Sequence, residues 1–545
     1  MVAAALLAQV VTFVVSASVY GWWLVDDAGI SFAYAFNLAN GEGLVSQPGA
    51  APVEGFSNPA WVLLITLARS LGLLDERTIA GQWDVVALSK LLALVLHVVV
   101  LGCLATIARR GLAAASSGRA PELLWILPWS LAGLLLAVNP SYVIWMVSGL
   151  ENPLLAAAVA ATAAAMVRFV TEPSPRLAAL LGLVIGLAAI TRPDGMIYLL
   201  ALVVVALPTK FTRSQRWWAL AASAGGAGAI ALSYLVFRLL YYGEIVPNTA
   251  VAKGQGLPTV RALGRLVEMG ESFGPALACV TVAAVIGSVV TMRRDGNDLG
   301  VRVASAALLV LGLSVVAFVV LRPDWMEELR FLTPAWPLVS LAAAAGSLHL
   351  VVLAERRDTR LVVAAVVTVA VSLSLVRWAD RAVAFRDAPT VPLCFVAERY
   401  GAQFDLAARE LRLDPARSTL VVPDVGGTLL TSQMKVVDLA GLADVELGRL
   451  QRYADPDRIR RHLLEEVKPT FVHLHGVWKR SSGLFGSAAF DRDYVELVPG
   501  EDWVRRDAVP TDVDLEQIRR FLTTRAARLT AGQAVADCSD IAPPG

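Results

Sequence analysis

"LVDDAGISFAYAFNLANGEGLVSQPGAAPVEGFSN", residues 24–58, begins where one apolar segment ends and stops where another begins. Two adjacent aspartates, Asp26 and Asp27, stand at the first boundary. After them "AGISFAYAFNLANGEG" is helical in pattern, with a narrow polar stripe at Ser31, Tyr34, Asn37 and Asn40. Gly41 and Gly43 are able to stop that helix. An almost wholly apolar helix beside a membrane span is expected to lie in the interface. "PGAAPVEGFSNP" then reads as a turn-rich loop returning the chain to the bilayer. Read alone, the aspartate pair is either a solvated span end with a helix-capping Asp or the chemistry of the protein.

The rest of the chain supplies the context. Its 545 residues are 56% hydrophobic and 17% charged, with a mean hydropathy of +0.61. Soluble domains carry about 25% charged residues. Long apolar runs make this a polytopic α-helical membrane protein whose partner is the lipid bilayer. A net charge of +1 without a basic tract points to no nucleic acid, and nothing in the sequence fixes an oligomeric state. The first segment lacks a basic start and a clear cleavage site, so it reads as a retained helix anchored by Trp22 and Trp23.

Apolar spans fall near 3–23, 85–107, 123–143, 151–168, 176–190, 194–208, 217–241, 271–292, 302–321, 331–354 and 361–378, about eleven crossings. The two around "AITRPDG" are short, as half-broken helices would be. Basic clusters at Arg109–Arg110–Arg119, Arg168–Arg176, Lys210–Arg213–Arg216, Arg293–Arg294–Arg302 and Arg356–Arg357–Arg360 follow odd-numbered spans. All can share the cytoplasmic side if 57–74 is re-entrant or interfacial. The N-terminus is then cytoplasmic, and the C-terminus lies outside the plasma membrane. Polar residues near span ends collect on the outer face: Asp26–Asp27, Glu54, Glu151, Arg192–Asp194, Asn248–Lys253 and Asp324 to Arg330. Ionisable groups at membrane depth are costly and are functional candidates by default.

The expected organisation is a transmembrane domain over 1–379, with a first outer loop at 24–84, and an extracytoplasmic α/β domain over 380–545. In the latter "STLVVPDVGG", "MKVVDLAG", "PTFVHLHG" and "DYVELVP" read as strands, and "PDRIRRHLLEEV" and "LEQIRRFLTTRAARL" as amphipathic helices. "DVGG" lacks the spacing of a dinucleotide fingerprint. Cys103 and Cys279 fall in spans, while an oxidising exterior permits a bridge between Cys394 and Cys538. His473 and His475 share one strand face, but no third metal ligand announces itself.

The opening stretch resembles the first outer loop of the GT-C glycosyltransferases that use polyprenyl-phosphate sugars. It is most similar to the actinobacterial terminal β-(1→2)-arabinofuranosyltransferase branch. The resemblance continues in order through "VSGLENPLLA" at 147–156, "LAAITRPDGMIYL" at 187–199 and "YYGEIVPNTAVAK" at 241–253. It extends to "RPDWMEELRFLTPAWPLV" at 322–339 and "DVGGTLLTSQMKVVDLAGLAD" at 424–444. Members of that group often have an aromatic where this chain has Gly29, Arg where it has Ala33, and glycines where it has Arg322 and Pro323. These departures bear on the choice of donor sugar and acceptor.

The resemblance implies a GT-C fold and a pentosyltransferase. It would transfer arabinofuranose from decaprenyl-phosphate-arabinose to arabinogalactan or lipoarabinomannan in cell wall biogenesis. Such transfer needs a base or nucleophile, stabilisation of an oxocarbenium-like centre, and cations for the leaving phosphate. An aspartate of the first outer loop would activate the acceptor hydroxyl, which carries over to Asp26 or Asp27. Arg192, Arg330 and Lys253 are candidates for the donor phosphate. Arginines at span ends also serve as snorkelling anchors. Glu54, Asn58, Glu151, Asn248 and Asp324 are candidates for sugar or acceptor hydroxyls, and Trp325 for stacking on a ring. Glu151 reads equally as a helix N-terminal carboxylate, and Trp325 as an interface aromatic. The first loop has no DxD motif, so no metal is called for, and a divalent cation stays open. A β-linked donor giving a β product means retention, whereas one in-line displacement means inversion. Another polyprenyl-phosphate sugar with a protein or lipid acceptor is the nearest alternative. A lipid-linked-sugar transporter or flippase would instead place its polar groups near the bilayer midplane.

Overall fold

The computed structural model describes residues 1–75, 78–79, 81–115, 122–206, 212–254, 256, 258–353, 356–511, 513–535 and 538. Arg119 and Lys210 of the basic clusters lie outside the described residues. The chain is a helical polytopic membrane protein with a sheet-containing C-terminal part. It forms two compact units. The first comprises 1–21, 90–237 and 256–387; the second comprises 22–89, 238–255 and 388–545. The outer-loop region thus belongs to the same unit as the C-terminal α/β part, together with 238–255.

Each of the eleven apolar stretches is helical over most of its described residues. They are α1 (Val2–Ser18), then α4 (Asp84–Ala115), α5 (Ile126–Val138) with α6 (Pro140–Met146), α7 (Asn152–Thr171), α8 (Pro175–Thr191) and a 3-10 segment Pro193–Ala206. They continue as α9 (Arg213–Tyr242), α11 (Pro275–Arg294), α12 (Asp298–Val320), α13 (Trp336–Leu353) and α14 (Arg357–Asp387). Among the described residues six are long and apolar enough to cross a bilayer, and seven if bent α5–α6 counts as one span. Proline explains part of the shortfall against eleven full spans. The residue before proline is driven out of the α region. Asn139, before Pro140, is extended, and the two helices meet at a 72° bend. Arg192, before Pro193, is extended as well and ends α8.

In the second unit α2 (Asp27–Ala39) buries every residue from Ala28 to Asn37. Its polar stripe turns to the protein rather than to water: Asn37 Nδ2 donates to Val45 O at 2.9 Å, and the Tyr34 hydroxyl donates to Val53 O at 2.6 Å. This replaces the expected interfacial helix: the apolar sides pack inward and the polar stripe finds its hydrogen-bond partners within the protein. The segment expected to be re-entrant holds α3 (Pro59–Ser70), whose 12 residues are too few to cross a bilayer. A short hairpin, β1 (Thr78–Ile79) and β2 (Gln82–Trp83), follows.

The α/β part carries a five-stranded sheet in the order β4-β3-β5-β7-β6. The strands are β3 (Thr419–Val422), β4 (Lys435–Asp438), β5 (Phe471–His473), β6 (Tyr494–Val498) and β7 (Asp502–Arg505). The first three are parallel, and β7 and β6 add antiparallel. Strand β7, "DWVR", is not among the strands read from the sequence, because it is short and flanked by charge. Helix α16 (Gly426–Thr431) follows closely on β3, and α15 (Leu393–Val396) packs beside it. Cys394 of α15 is bonded to Cys538, with a Cα–Cα distance of 5.0 Å.

Candidate active site

In the second unit the site begins at the turn into α2. Leu393 N–H donates to Leu24 O at 2.9 Å, and Asp26 N–H donates to Val391 O at 3.0 Å. This pairing fixes Asp26 at the N-cap position, yet its side chain does not cap its own helix. It reaches the glycine pair that opens α16. Gly427 N–H donates to Asp26 Oδ1 at 2.7 Å and Gly426 N–H to Oδ2 at 3.2 Å. The approach requires glycine on both sides. A Cβ on Gly426 would lie 1.8 Å from Asp26 O, and one on Gly29 would lie 2.4 Å from the Gly426 carbonyl carbon.

Asp26 is only 5% exposed. Burial pushes its pKa well above the usual carboxylate value, and the charges of Asp424 and Asp27 push the same way. The two glycine N–H groups oppose this without cancelling it. Asp27, the first residue of α2, is half-buried.

Asp424 begins the segment that carries the glycines. Its Oδ2 lies 2.5 Å from His475 Nε2. His473 is fully buried, with Nδ1 2.6 Å from Asp502 Oδ1. Each histidine thus has an aspartate of its own, and Tyr400 lies against both rings. Among the described residues no group of three or more His, Cys, Asp and Glu is placed to hold a metal ion.

Three further candidates in this unit are engaged within the protein. Glu54 is buried and takes two hydrogen bonds from Arg238, Nε to Oε2 at 2.5 Å and Nη2 to Oε1 at 3.0 Å. Asn58 exchanges hydrogen bonds with Ser31, tying the start of α3 to α2. Asn248 Nδ2 donates to the carbonyls of Gly441, Leu442 and Asp444 at 2.9, 2.8 and 3.1 Å. It opens α10 (Asn248–Lys253), which ends at the exposed Lys253.

In the first unit the proline-driven break turns Arg192 inward. Arg192 Nη1 donates to Glu151 Oε1 at 2.6 Å, and Nε donates to Asp194 Oδ1 at 2.9 Å. Arg192 and Glu151 are both buried. The second arginine arrives through a turn in which Glu328 and Leu329 both take positive φ, 58° and 48°. That conformation is costly for residues with a Cβ. The Glu328 carbonyl is held there by the Ser141 hydroxyl and by Trp145 Nε1. Arg330 follows, buried, with Nε 2.8 Å from Asp324 Oδ2, an ion pair not aligned as a hydrogen bond. Asn152 Nδ2 donates to Arg330 O at 3.1 Å, joining the two regions. Both guanidinium groups lie over Phe331, 4.6 Å from its ring centre for Arg192 and 5.0 Å for Arg330. Glu151, Arg192, Asp324 and Arg330 therefore meet around one aromatic ring. Trp325 is 60% exposed, as an interface aromatic is.

Sequence reasoning misses Arg238, Asp424 and Phe331, and it reads His475 only as a weak metal candidate. "DVGG" offers a signal, since two adjacent glycines mark a close backbone approach. Arg238, a charge inside an apolar run, is another.

No family model matches the chain, and no curated protein matches it. Its fold is similar to that of ArnT from Cupriavidus metallidurans bound to undecaprenyl phosphate. The TM-score is 0.55 at 15% identity, over 86% of this chain and 92% of that one. It is also similar to the oligosaccharyltransferase of Archaeoglobus fulgidus in the apo form, with TM-score 0.51 and 11% identity, over 94% of this chain and 75% of that one. The same enzyme tethered with an acceptor peptide gives TM-score 0.53 at 10% identity, over 93% and 75%. At such identities the likeness is one of fold, and the fold is that of the GT-C membrane glycosyltransferases.

Proposed function

We propose that the chain is a GT-C glycosyltransferase acting on a polyprenyl-phosphate sugar. In this reading it takes arabinofuranose from decaprenyl-phosphate-arabinose and passes it to cell-wall arabinan or lipoglycan at the outer face of the plasma membrane. The observation that carries the proposal is Asp26. A buried carboxyl with a raised pKa is anchored beside a second aspartate, shortly after the first apolar helix of a GT-C fold. Sugar transfer needs a base whose pKa is near the working pH, and burial raises a carboxyl toward that range.

Asp26 or Asp27 takes the proton of the acceptor hydroxyl as that oxygen attacks the anomeric carbon. Arg192 and Arg330 receive the departing lipid phosphate, for which planar guanidinium groups are suited. Their existing partners Glu151, Asp194 and Asp324 hold the two guanidinium groups in place. Glu54, Asn58 and Asn248 shape the outer loop in this reading rather than touch the sugar. The N-terminus is cytoplasmic, and the α/β part lies outside and receives the glycan. The undecaprenyl phosphate in the ArnT structure supports a lipid-phosphate donor.

The test uses purified protein in nanodiscs, synthetic decaprenyl-phosphate-arabinose and an arabinan acceptor, with product linkage read by NMR. Asp26→Asn and Asp27→Asn are assayed beside it. Full turnover in both variants removes the catalytic assignment. Transfer of a different sugar, or to a peptide or lipid, revises the substrate. Transport without transfer overturns the enzyme class.

A further inference from the structure

The second unit carries a cleft that the proposed reaction does not use. It lies between the end of the helix Gln403–Glu410 and the start of the helix Leu515–Ala531, with a volume of about 510 Å³. That volume is within the range of small-molecule sites. None of the residues lining it belongs to the Asp26 site.

One wall follows from helical spacing. Asp514, Gln517, Ile518 and Phe521 stand at i, i+3, i+4 and i+7, so they share one face. Ile518 is buried along with Leu522 and Ala526 and closes the cleft toward the interior. Phe521 stays 47% exposed, a ring held at the cleft by a helix.

The other wall is built on a strained residue. Arg412 N–H donates to Arg409 O at 2.9 Å and Leu413 N–H to Ala408 O at 2.7 Å, the two bonds of a Schellman helix end. Glycine is the usual residue at the left-handed position of that motif. Here it is Arg412, with φ 56°. A glycine would end the helix with less strain, but it would leave the cleft without this guanidinium. Glu410 lines the same wall, and among the described residues neither its carboxylate nor the Gln517 side-chain amide has a protein partner.

The lining selects a class of ligand. Glu410 and Asp514 accept hydrogen bonds, Arg412 donates them, and Gln517 does both. Charges of both signs suit neither an anion nor a cation, whereas a neutral polyol uses every one of these groups. The negative face of the Phe521 ring attracts the polarised C–H face of a sugar.

We propose that this cleft is a glycan-binding subsite of the α/β part, separate from the reacting carboxyls, that holds an arabinofuranosyl segment of the acceptor. The sugar class follows from the lining; the choice of arabinofuranose rests on the proposed function.

The test measures binding without donor, so it needs no turnover. Full-length protein in nanodiscs is titrated calorimetrically with a synthetic arabinofuranosyl hexasaccharide, and in parallel with manno- and cello-hexasaccharides. The arabinofuranosyl probe is expected to bind, and Phe521→Ala and Gln517→Ala should each raise its Kd about five- to tenfold. Phe521→Trp keeps an aromatic face and should bind as the native protein does. Arg412→Gly should weaken binding by a similar factor while its unfolding midpoint holds or rises, because glycine takes the positive φ freely. That combination separates lost contact from lost fold.

A native Kd in Phe521→Ala, Gln517→Ala and Arg412→Gly overturns the inference, as does a native protein that binds none of the three oligosaccharides. If arabinan transfer persists in either case, the glycosyltransferase reading stands and the cleft alone is removed. Cleft-dependent binding of another oligosaccharide in place of the arabinofuranosyl one overturns the arabinofuranose assignment and counts against the arabinan reading. Cleft-dependent binding in protein that transfers nothing supports the subsite and counts against the transferase.

Discussion

Gly427 N–H reaches the Asp26 carboxylate at 2.7 Å across 401 positions of sequence. The contact leaves no room for side chains where the two segments meet. A Cβ on Gly427 would lie 2.4 Å from Ala397 N and 2.5 Å from Leu393 O, and both are backbone atoms that cannot swing away. Gly426→Ala and Gly427→Ala should each destabilise the second unit by about 1–3 kcal/mol or more, the cost of forcing atoms into a packed interior. Each should also displace Asp26 and lower transfer. Thermal unfolding in nanodiscs and an activity assay check this; wild-type values in either variant would refute the close approach.

Glu54 and Arg238 form a buried pair with two hydrogen bonds. Removing one partner from such a pair strands the other charge, at about 3–5 kcal/mol. Arg238 keeps 15% of its side chain exposed against 2% for Glu54, so Glu54→Leu, which strands the arginine, lies near the lower figure and Arg238→Met, which strands the glutamate, near the upper. Glu54→Gln should lose less than Glu54→Leu, because the amide oxygen still accepts from Arg238. The double variant Glu54→Leu with Arg238→Met should recover most of the single losses. Unfolding midpoints of the four proteins form the cycle that tests the coupling.

How far the sequence reaches can be judged from these same residues. Apolar runs located the six helices that, among the described residues, are long and apolar enough to cross a bilayer, because a bilayer demands a long uniform stretch whatever its neighbours are. They did not reveal the helix lengths, since Pro140 and Pro193 break spans locally while leaving the hydropathy unchanged. "DVGG" was legible as a block of resemblance, but its use was not: Gly426 and Gly427 matter through Asp26, a contact that no local pattern encodes. Gly29 read as a departure from the group, and the structure supplies a cause, because the Gly426 carbonyl occupies the space a side chain would need. Arg238 is hidden inside an apolar run, whereas its partner Glu54 stands out in a turn-rich loop. Buried polar pairing is a property of the fold, so one member of a pair seldom announces the other.

Asp438 gives the second unit a pH dependence. It ends β4 with its carboxyl buried, and Ala440 and Ala443 N–H donate to it at 2.9 and 2.8 Å. Burial pushes its pKa up to about 7, against the opposing N–H groups. The folded pKa exceeds the unfolded one, so folding favours the protonated form. The associated stability is present at low pH and is lost as pH rises through about 7, on the order of a few kcal/mol in total. Unfolding measured from about pH 5 to pH 8 should show that decline, and Asp438→Asn should flatten it. An unchanged slope in the variant would assign the dependence elsewhere.

Cys394 and Cys538 close a long loop, with a sequence separation of 144. In the chain-entropy account a loop of that size contributes about 5 kcal/mol by restricting the unfolded chain. Thiol titration of denatured, unreduced protein should find two thiols, Cys103 and Cys279, and four after reduction. Reduction should lower the unfolding midpoint, and Cys538→Ser should reproduce the effect without reductant. Four thiols before reduction would remove the bridge.

Arg192 offers the sharpest test of the phosphate site. Its guanidinium spans two carboxylates, Glu151 at 2.6 Å and Asp194 at 2.9 Å, while its face covers Phe331. A lysine there keeps the charge but loses the fork and the flat face. In the proposed reaction Arg192→Lys should raise the KM for the lipid-phosphate donor about tenfold or more, the loss of one charge-assisted hydrogen bond. The KM for the glycan acceptor should stay put, because the acceptor does not meet this arginine. Glu151→Gln should shift the same donor constant by less, since Asp194 still orients the guanidinium. Initial rates at varied donor and fixed acceptor, then the reverse, separate the two constants. Equal effects on both substrates would show that Arg192 holds the fold rather than the phosphate.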